Sequence, residues 1–313
     1  HKLAPGTFLE VNKDSLDSQE LRRPEKYWSI TTIFGSKNDN FFISQEDFND
    51  QILGMLNKSV AQQLISDVPT GVFLSGGIDS SVITALATQH STKKIKTFSI
   101  GFKEKGYDES KIAKKISDCL KTDHTSYELS SSEAIKYIPK MGSTFDEPFA
   151  DSSQIPVKLI CELAKQKITV ALTGDGGDEV FGGYNRHILA YKYWPKIKFF
   201  PKPIRKVIFK IISPIFKNLS QLSRPEEKLV KIEKILSSTN DEEFYRSLIT
   251  NNFDVSKILN FEKKINNFSY NLNNSNTKEI NISEKLILAD LTNYLPDDIL
   301  VKSDRTSMSV GLE

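Results

Sequence analysis

Cysteine is nearly missing from this 313-residue chain. Its two thiols, Cys119 and Cys161, stand far apart with no CxxC pair, which argues against a disulfide framework or a cysteine zinc site and predicts a reducing compartment. Histidine is scarce too, with four in all. His90, His124 and His187 have no ligand-like spacing with cysteines or carboxylates, so no histidine metal centre is expected. Charge of one sign is not in excess: 42 Lys and Arg stand against 40 Asp and Glu, a formal net charge of +2, and that balance holds no global signature of nucleic-acid binding. No apolar run approaches the ~20 residues needed to span a bilayer. The first residues show no signal-peptide pattern, so the expected location is the cytoplasm. What is present, 38% hydrophobic and 26% charged residues, suffices for one large core or a core plus a satellite.

The most informative stretch is Gly71-Val72-Phe73-Leu74-Ser75-Gly76-Gly77-Ile78-Asp79-Ser80-Ser81. It joins an apolar strand to a turn of small residues whose N–H groups can converge on an anion at the start of a helix near Asp79. Ser80 and Ser81 add hydroxyl donors. The Walker pattern needs a Lys after its second Gly; here Gly76 is followed by Gly77, Ile78 and Asp79. An acidic residue in place of the Lys suggests a loop that holds a divalent cation against phosphate rather than neutralising it directly.

Around this loop, strand and helix alternate. Ser44 caps a helix to about Ile65; Val72–Leu74 reads as strand, Ser80–Gln89 as helix, Ile95–Phe102 as strand, Glu109–Leu120 as helix and Ser126–Leu129 as a short strand. Ser153–Gln166 reads as helix and Ile168–Leu172 as a continuous apolar strand, the pattern of a parallel sheet covered on both faces. Thr7–Val11 is an alternating fragment read as strand. The expected fold is α/β, a doubly wound parallel sheet flanked by helices with a helical satellite region. Ligands in such sheets sit beyond the carboxyl ends of the strands, where both glycine-rich segments of this chain fall.

Ser75-Gly76-Gly77-Ile78-Asp79-Ser80 resembles the SGGxDS pyrophosphate loop of the ATP pyrophosphatase families. Leu172-Thr173-Gly174-Asp175-Gly176-Gly177-Asp178-Glu179-Val180-Phe181-Gly182-Gly183-Tyr184 and the run Tyr294–Ser309, which contains Lys302, narrow the match. In this order they resemble the synthetase domain of glutamine-hydrolysing asparagine synthetases, and Asp146-Glu147-Pro148-Phe149-Ala150-Asp151-Ser152-Ser153 fits the same family. The resemblance runs from about Phe41 to Glu313, with a poorly matched helical insert from about residue 195 to 282. Residues 1–40 would be the remnant or linker of an absent N-terminal glutaminase domain, and the synthetase domain at 41–313 would be C-terminally incomplete.

The resemblance implies ATP and Mg²⁺ as cofactors, with aspartate and ammonia (derived from glutamine) as small-molecule substrates. Asp79 and Asp178 would hold the metal. Leu74, Ser75, Gly76, Gly77, Asp79, Ser80 and Ser81 would bind ATP and pyrophosphate. Ile100, Thr173 and Gly174 would line the adenosine. Lys302 would offer a fixed positive charge to the phosphates, and Asp175 would stand near the reacting acyl group, at a position where the family commonly has Glu. Asp146 and Glu147 read equally as contacts to substrate or metal or as an ordinary turn before proline. Asp304 and Arg305 read as an internal ion pair or as ligand contacts. Two other readings stay open: a relative with another acceptor (a surface-polysaccharide amidotransferase, a β-lactam synthetase or a lasso-peptide cyclase), and a module that binds nucleotide without turnover. A homodimer is compatible with all of them, and no nucleic-acid partner is expected.

The stretch Pro195–Lys217 contains seven Lys or Arg and no acidic residue. Ile204, Val207, Ile208, Ile211 and Ile212 form an apolar stripe at helical spacing. Such a stripe reads either as an interfacial helix or as one packed on a core; core packing is the expectation, membrane contact the alternative, and Pro201, Pro203 and Pro214 predict a short segment. Asn266–Asn276, with six Asn in eleven residues, reads as a surface loop.

Overall fold

The computed structural model describes residues 2–13, 22–30, 32, 44–103, 109–217, 225–250 and 280–313; the asparagine-rich stretch at 266–276 lies outside them. The chain divides into two compact units, His1–Lys37 with Glu179–Asn293, and Asn38–Asp178 with Tyr294–Glu313. In the first unit, β1 (Thr7–Phe8) and β2 (Glu25–Lys26) form an antiparallel pair. The strand expected over Thr7–Val11 is thus only two residues long.

The second unit opens with α1 (Gln45–Gln63), where Ser44 Oγ accepts from Asp47 N at 3.1 Å and Glu46 and Asp47 occupy the positive end of the helix dipole. Then follow β3 (Thr70–Phe73), α2 (Ile78–His90), β4 (Lys96–Phe102), α3 (Ser110–Leu120), β5 (Asp123–Leu129), α4 (Ser131–Thr144), α5 (Gln154–Lys165) and β6 (Val170–Leu172). The four strands are parallel in the order β5-β4-β3-β6. The chain therefore starts mid-sheet, winds outward through β4 to β5, and returns to the other side of β3. The reversal between β3 and β6 is the topological switch point, where neighbouring connections leave in opposite directions and open a crevice.

Alternation along the strands buries both faces. Val72 and Leu172 join Val60, Leu86, Ala87 and Ile95 in one core, while Phe73 and Ala171 pack against Phe98, Cys161, Ala164, Ile168 and Leu312 in the other. This is the doubly wound parallel sheet that the strand pattern predicts.

Local chemistry moves several boundaries. Ile168 stays in the core at 2% exposure, but its N–H bonds to Ala164 O at 2.9 Å and so closes α5, leaving the expected strand as Val170–Leu172. On the outer edge of β6, Ala171 N donates to Glu313 O and Glu313 N to Thr169 O, at 2.7 and 2.9 Å. β5 is longer than expected because its polar sequence, Asp-His-Thr-Ser-Tyr-Glu-Leu, suits an edge strand and pairs with β4 over all seven residues. α4 goes beyond the sequence reading altogether. Its start has a full capping box between Ser130 and Glu133.

The first unit is mainly helical: α7 (Asn185–Phe199), α8 (Lys202–Lys217), α9 (Pro225–Ser237), α10 (Asp241–Ile249) and α11 (Ile282–Ala289), with the short α6 (Gly177–Phe181) leading in. Trp194 stacks on Phe244 with ring centroids 4.2 Å apart, inside a core shared with Ala190, Tyr245, Leu248, Leu286 and Ala289. Asp290, fully buried, lies 2.6 Å from His187 Nε2, accepts from Tyr245 Oη at 2.6 Å and pairs with Arg186 at 3.0 Å. A buried carboxylate persists only where such partners replace its water. A π-helix, Asp290–Ile299, then leads to α12 (Leu300–Met308).

The basic segment corrects the sequence reading twice. α8 runs 16 residues through Pro214, so the prolines do not keep it short. Its stripe is not core: Ile204, Val207, Ile208 and Ile211 are 47, 57, 37 and 65% exposed. Arg205 takes the inward position instead, donating to Ser238 O at 2.7 Å. The side chain of Ile212 lies outside the described residues.

Candidate active site

The two glycine-rich segments leave the carboxyl ends of β3 and β6, which flank the switch point, and they touch. A Cβ placed on Gly174 would stand 2.8 Å from Ser80 N and 3.1 Å from Asp79 Cβ; one on Gly177 would stand 2.5 Å from Asp79 Oδ2. Only glycine permits this approach. At Gly76 the backbone itself requires glycine, with φ at +90°. Leu74 beneath the turn is fully buried, its N–H bonded to Phe98 O at 2.8 Å.

Serines hold the turn in shape. Ser80 Oγ accepts from Ser75 N at 3.2 Å and lies 3.0 Å from Ser75 Oγ, while Ser81 Oγ donates to Gly77 O at 2.5 Å. Gly77, as the N-cap of α2, has no side chain with which to cap it. The first N–H groups of α2 therefore meet no side-chain acceptor from their cap, the condition under which a helix start attracts an anion.

Asp79 is half-buried beside Asp178. Burial first, and the Asp178 charge second, push its carboxyl above the ordinary value of 3.8. A half-buried carboxylate facing another carboxylate is relieved by a cation between them. Among the described residues no group of three or more His, Cys, Asp or Glu side chains is arranged to hold a metal ion. A pair of carboxylates completed by phosphate oxygens is the donor set Mg²⁺ takes in nucleotide sites, so Asp79 and Asp178 fit that ion.

The third segment reaches the second through Ser303, whose Oγ donates to Asp175 Oδ2 at 2.6 Å. Next to Ser303 in the chain, Lys302 is 8% exposed and donates from Nζ to Asp151 Oδ2 at 2.7 Å and Ser153 Oγ at 2.8 Å. Burial alone would raise the Asp151 carboxyl, but hydrogen bonds from Lys302 and Ser153, with the lysine charge, hold it below the usual carboxylate range. Asp298, half-buried nearby, is raised by desolvation and then by Asp151. Asp151, Ser153, Asp298 and Ser303 escaped the sequence reading as functional candidates. The signal for Asp151 and Ser153 was an Asp-x-Ser turn, seen here as Ser153 N donating to Asp151 Oδ1 at 2.8 Å.

The remaining candidates divide. Thr173 Oγ1 accepts from Asp175 N at 3.3 Å, so it shapes the second loop. Ile100 sits half-buried two residues inside the end of β4, beside Tyr127 of β5. Asp146, exposed, pairs with Arg305 Nη2 at 3.1 Å, and Arg305 also meets Asp304 at 3.6 Å, so the internal ion pair is the arrangement seen. Glu147 is exposed. The three described histidines make ordinary structural contacts: His124 with Thr97 and Ser99, His90 with Asn57, His187 with Asp290.

Fold and site together define an α/β protein with a doubly wound parallel sheet, its glycine turns meeting beside Asp79 at the switch point. The chain belongs to the asparagine synthase family, whose model matches residues 51–313. It is 38% identical to "Putative asparagine synthetase [glutamine-hydrolyzing] 2" of Methanocaldococcus jannaschii over 94% of this chain and 54% of that protein. Against "Asparagine synthetase [glutamine-hydrolyzing] 1" of Bacillus subtilis identity is 29% over 99% and 48%. The chain spans about half the length of these curated relatives. Among solved structures, the NH3-dependent NAD synthetase from Campylobacter jejuni is similar at 14% identity and a TM-score of 0.34, covering 65% of this chain and 98% of that one.

Proposed function

We propose that this chain is the ATP-dependent amide-forming part of an asparagine synthetase, activating the β-carboxylate of aspartate as an acyl adenylate with release of pyrophosphate, after which ammonia displaces AMP. The observation that supports it most is the contact of Gly174 and Gly177 with Asp79 and Ser80, which brings the second glycine turn against the start of α2 and its aspartate.

The chain's own residues would divide the work. Adenylation brings an anion to an anion, so positioning and positive potential supply most of the catalysis. The turn Ser75–Gly77 and the start of α2 would orient the phosphates through backbone N–H groups, and Ser80 and Ser81 keep that turn rigid. Asp79 and Asp178 would hold Mg²⁺, which when bound offsets charge on the phosphates. Lys302 brings a buried ammonium whose charge Asp151 partly balances, so its pull on phosphate depends on that partner. Asp175 would face the acyl group and orient ammonia, with Ser303 fixing its carboxylate. The domain plan follows the same reading: residues 41–313 as the synthetase domain with a helical insert at about 195–282, residues 1–40 as the link to a glutaminase domain that supplies ammonia.

The test is exchange of labelled pyrophosphate into ATP. Aspartate-dependent exchange is the expected result. Exchange that depends on another carboxylate instead reassigns the acceptor within the family, and nucleotide binding without exchange under any carboxylate reduces the chain to a binding module.

A further inference from the structure

α8 presents its apolar stripe to solvent and a set of lysines beside it. At ~100° per residue, Ile204, Val207, Ile208 and Ile211 fall on one narrow face, while Arg205, the buried contact to Ser238, and half-buried Phe209 lie on the opposite, inward side. The stripe therefore points away from the body of its own unit. Lys210, exposed, flanks it on one side, and Lys206, also exposed, lies further round the helix. At the start of the helix, the corner between α7 and α8 exposes Phe199 at 83% and Phe200 at 44%. Across Pro195–Lys217 every ionisable side chain is cationic.

A helix packed only for stability would turn those four side chains inward. Each exposed one forgoes the ~25 cal/mol per Å² that burial returns, and four in register make a patch rather than scattered singles. The local charge selects the occupant. An apolar ridge bordered by Lys210, in a segment whose ionisable side chains are all cationic, and tipped by aromatics matches an interface of acyl chains under negative headgroups, where the ridge enters the hydrocarbon boundary and the cations stay at headgroup level. No described helix is long and apolar enough to cross a membrane, so contact of this kind lies in the plane of the surface.

We propose that α8, with the Phe199–Phe200 corner, docks this protein onto an anionic lipid surface. This inference rests on the first unit alone and stands apart from the adenylation reading, whose candidate residues all belong to the other unit.

The experiment is flotation of the protein with vesicles of neutral phosphatidylcholine and with vesicles in which about a third of that lipid is replaced by phosphatidylserine. Binding to the anionic vesicles only is expected, weakened as salt shortens the Debye length. Val207→Glu combined with Ile211→Glu should cut the bound fraction roughly tenfold or more, because two carboxylates then sit on the face that must enter the bilayer. A circular-dichroism spectrum and melting profile equal to the parent show that the double variant folds; should it not fold, Lys206→Glu with Lys210→Glu replaces it, with the same loss expected. The proposal is overturned if anionic vesicles float without the protein at low salt, if neutral vesicles bind equally, or if folded variants bind like the parent. It is overturned as well if sedimentation shows that the parent self-associates and Val207→Glu with Ile211→Glu makes it monomeric, since the stripe would then be a contact between copies.

Discussion

At the scale of single residues, the site is decided by what cannot be added. Gly177→Ala would place a methyl carbon 2.5 Å from Asp79 Oδ2, closer than real Cβ contacts allow. Because Gly177 has no left-handed φ, the substitution costs no backbone strain and acts as a local push on the aspartate. The expected result is loss of pyrophosphate exchange by a factor of about 100 with a melting temperature near the parent's; unchanged exchange would mean that the two loops do not act together. The aspartates give a second prediction. A folded-state pKa raised above the unfolded value means that the native protein holds this proton more tightly, so ionisation of Asp79 costs stability as pH rises through the two values, and the cost is fully present above both. Asp178→Asn removes the smaller of the two causes. Without nucleotide or metal, it should raise the melting temperature at neutral pH and leave it unchanged in acid, and a scan of melting against pH checks the sign. The same substitution should weaken Mg²⁺-dependent ATP binding.

At the scale of elements, α4 shows how a polar sequence becomes a helix. Its capping box fixes Glu133 against Ser130 and Tyr127, and these hydrogen bonds, Ser130 first, draw the Glu133 carboxyl down from 4.5 to about 2. A depressed carboxyl stabilises the fold above the unfolded value and loses that contribution as pH falls from 4.5 through about 2. Protection of the first-turn amides of α4, taken as the exchange rate relative to an unprotected amide at the same pH, should therefore fall as pH drops across that window in the parent and stay level in Glu133→Gln. Elements also show what a sequence can disclose. The strand at Val72–Leu74, the helix behind Ser44 and both glycine turns were legible because their signals are local: an apolar run, a cap, a cluster of small residues. The extra length of β5 was not, because its polar residues pair along an edge that only the folded sheet defines. Ile168 misled for a related reason: its apolar side chain fits strand or core alike, and the hydrogen bond to Ala164 decides for the helix end.

For the whole molecule, sequence separation marks the limit of legibility. Asp79, Asp175 and Asp178 were readable as candidates from neighbouring residues, whereas the partner of Lys302 lies 151 positions away at Asp151 and nothing local names it. The same holds in the first unit, where Asp290 gathers His187 and Tyr245 from 103 and 45 positions away. Such a carboxylate is a demanding element, since removing it takes away an ion pair with Arg186 and the hydrogen bond from Tyr245. Deleting one side of a buried charge cluster costs about 3–5 kcal/mol. Both tryptophans of the chain, Trp28 and Trp194, belong to this unit, so tryptophan emission reports its unfolding selectively. Asp290→Ala should lower the urea midpoint of that emission by an amount matching about 3 kcal/mol, with Asp290→Asn in between because it retains an acceptor for Tyr245. An alanine variant whose tryptophan midpoint equals the parent's would show that the first unit is held by the Trp194–Phe244 core alone, and that the buried carboxylate contributes nothing net once its desolvation is counted.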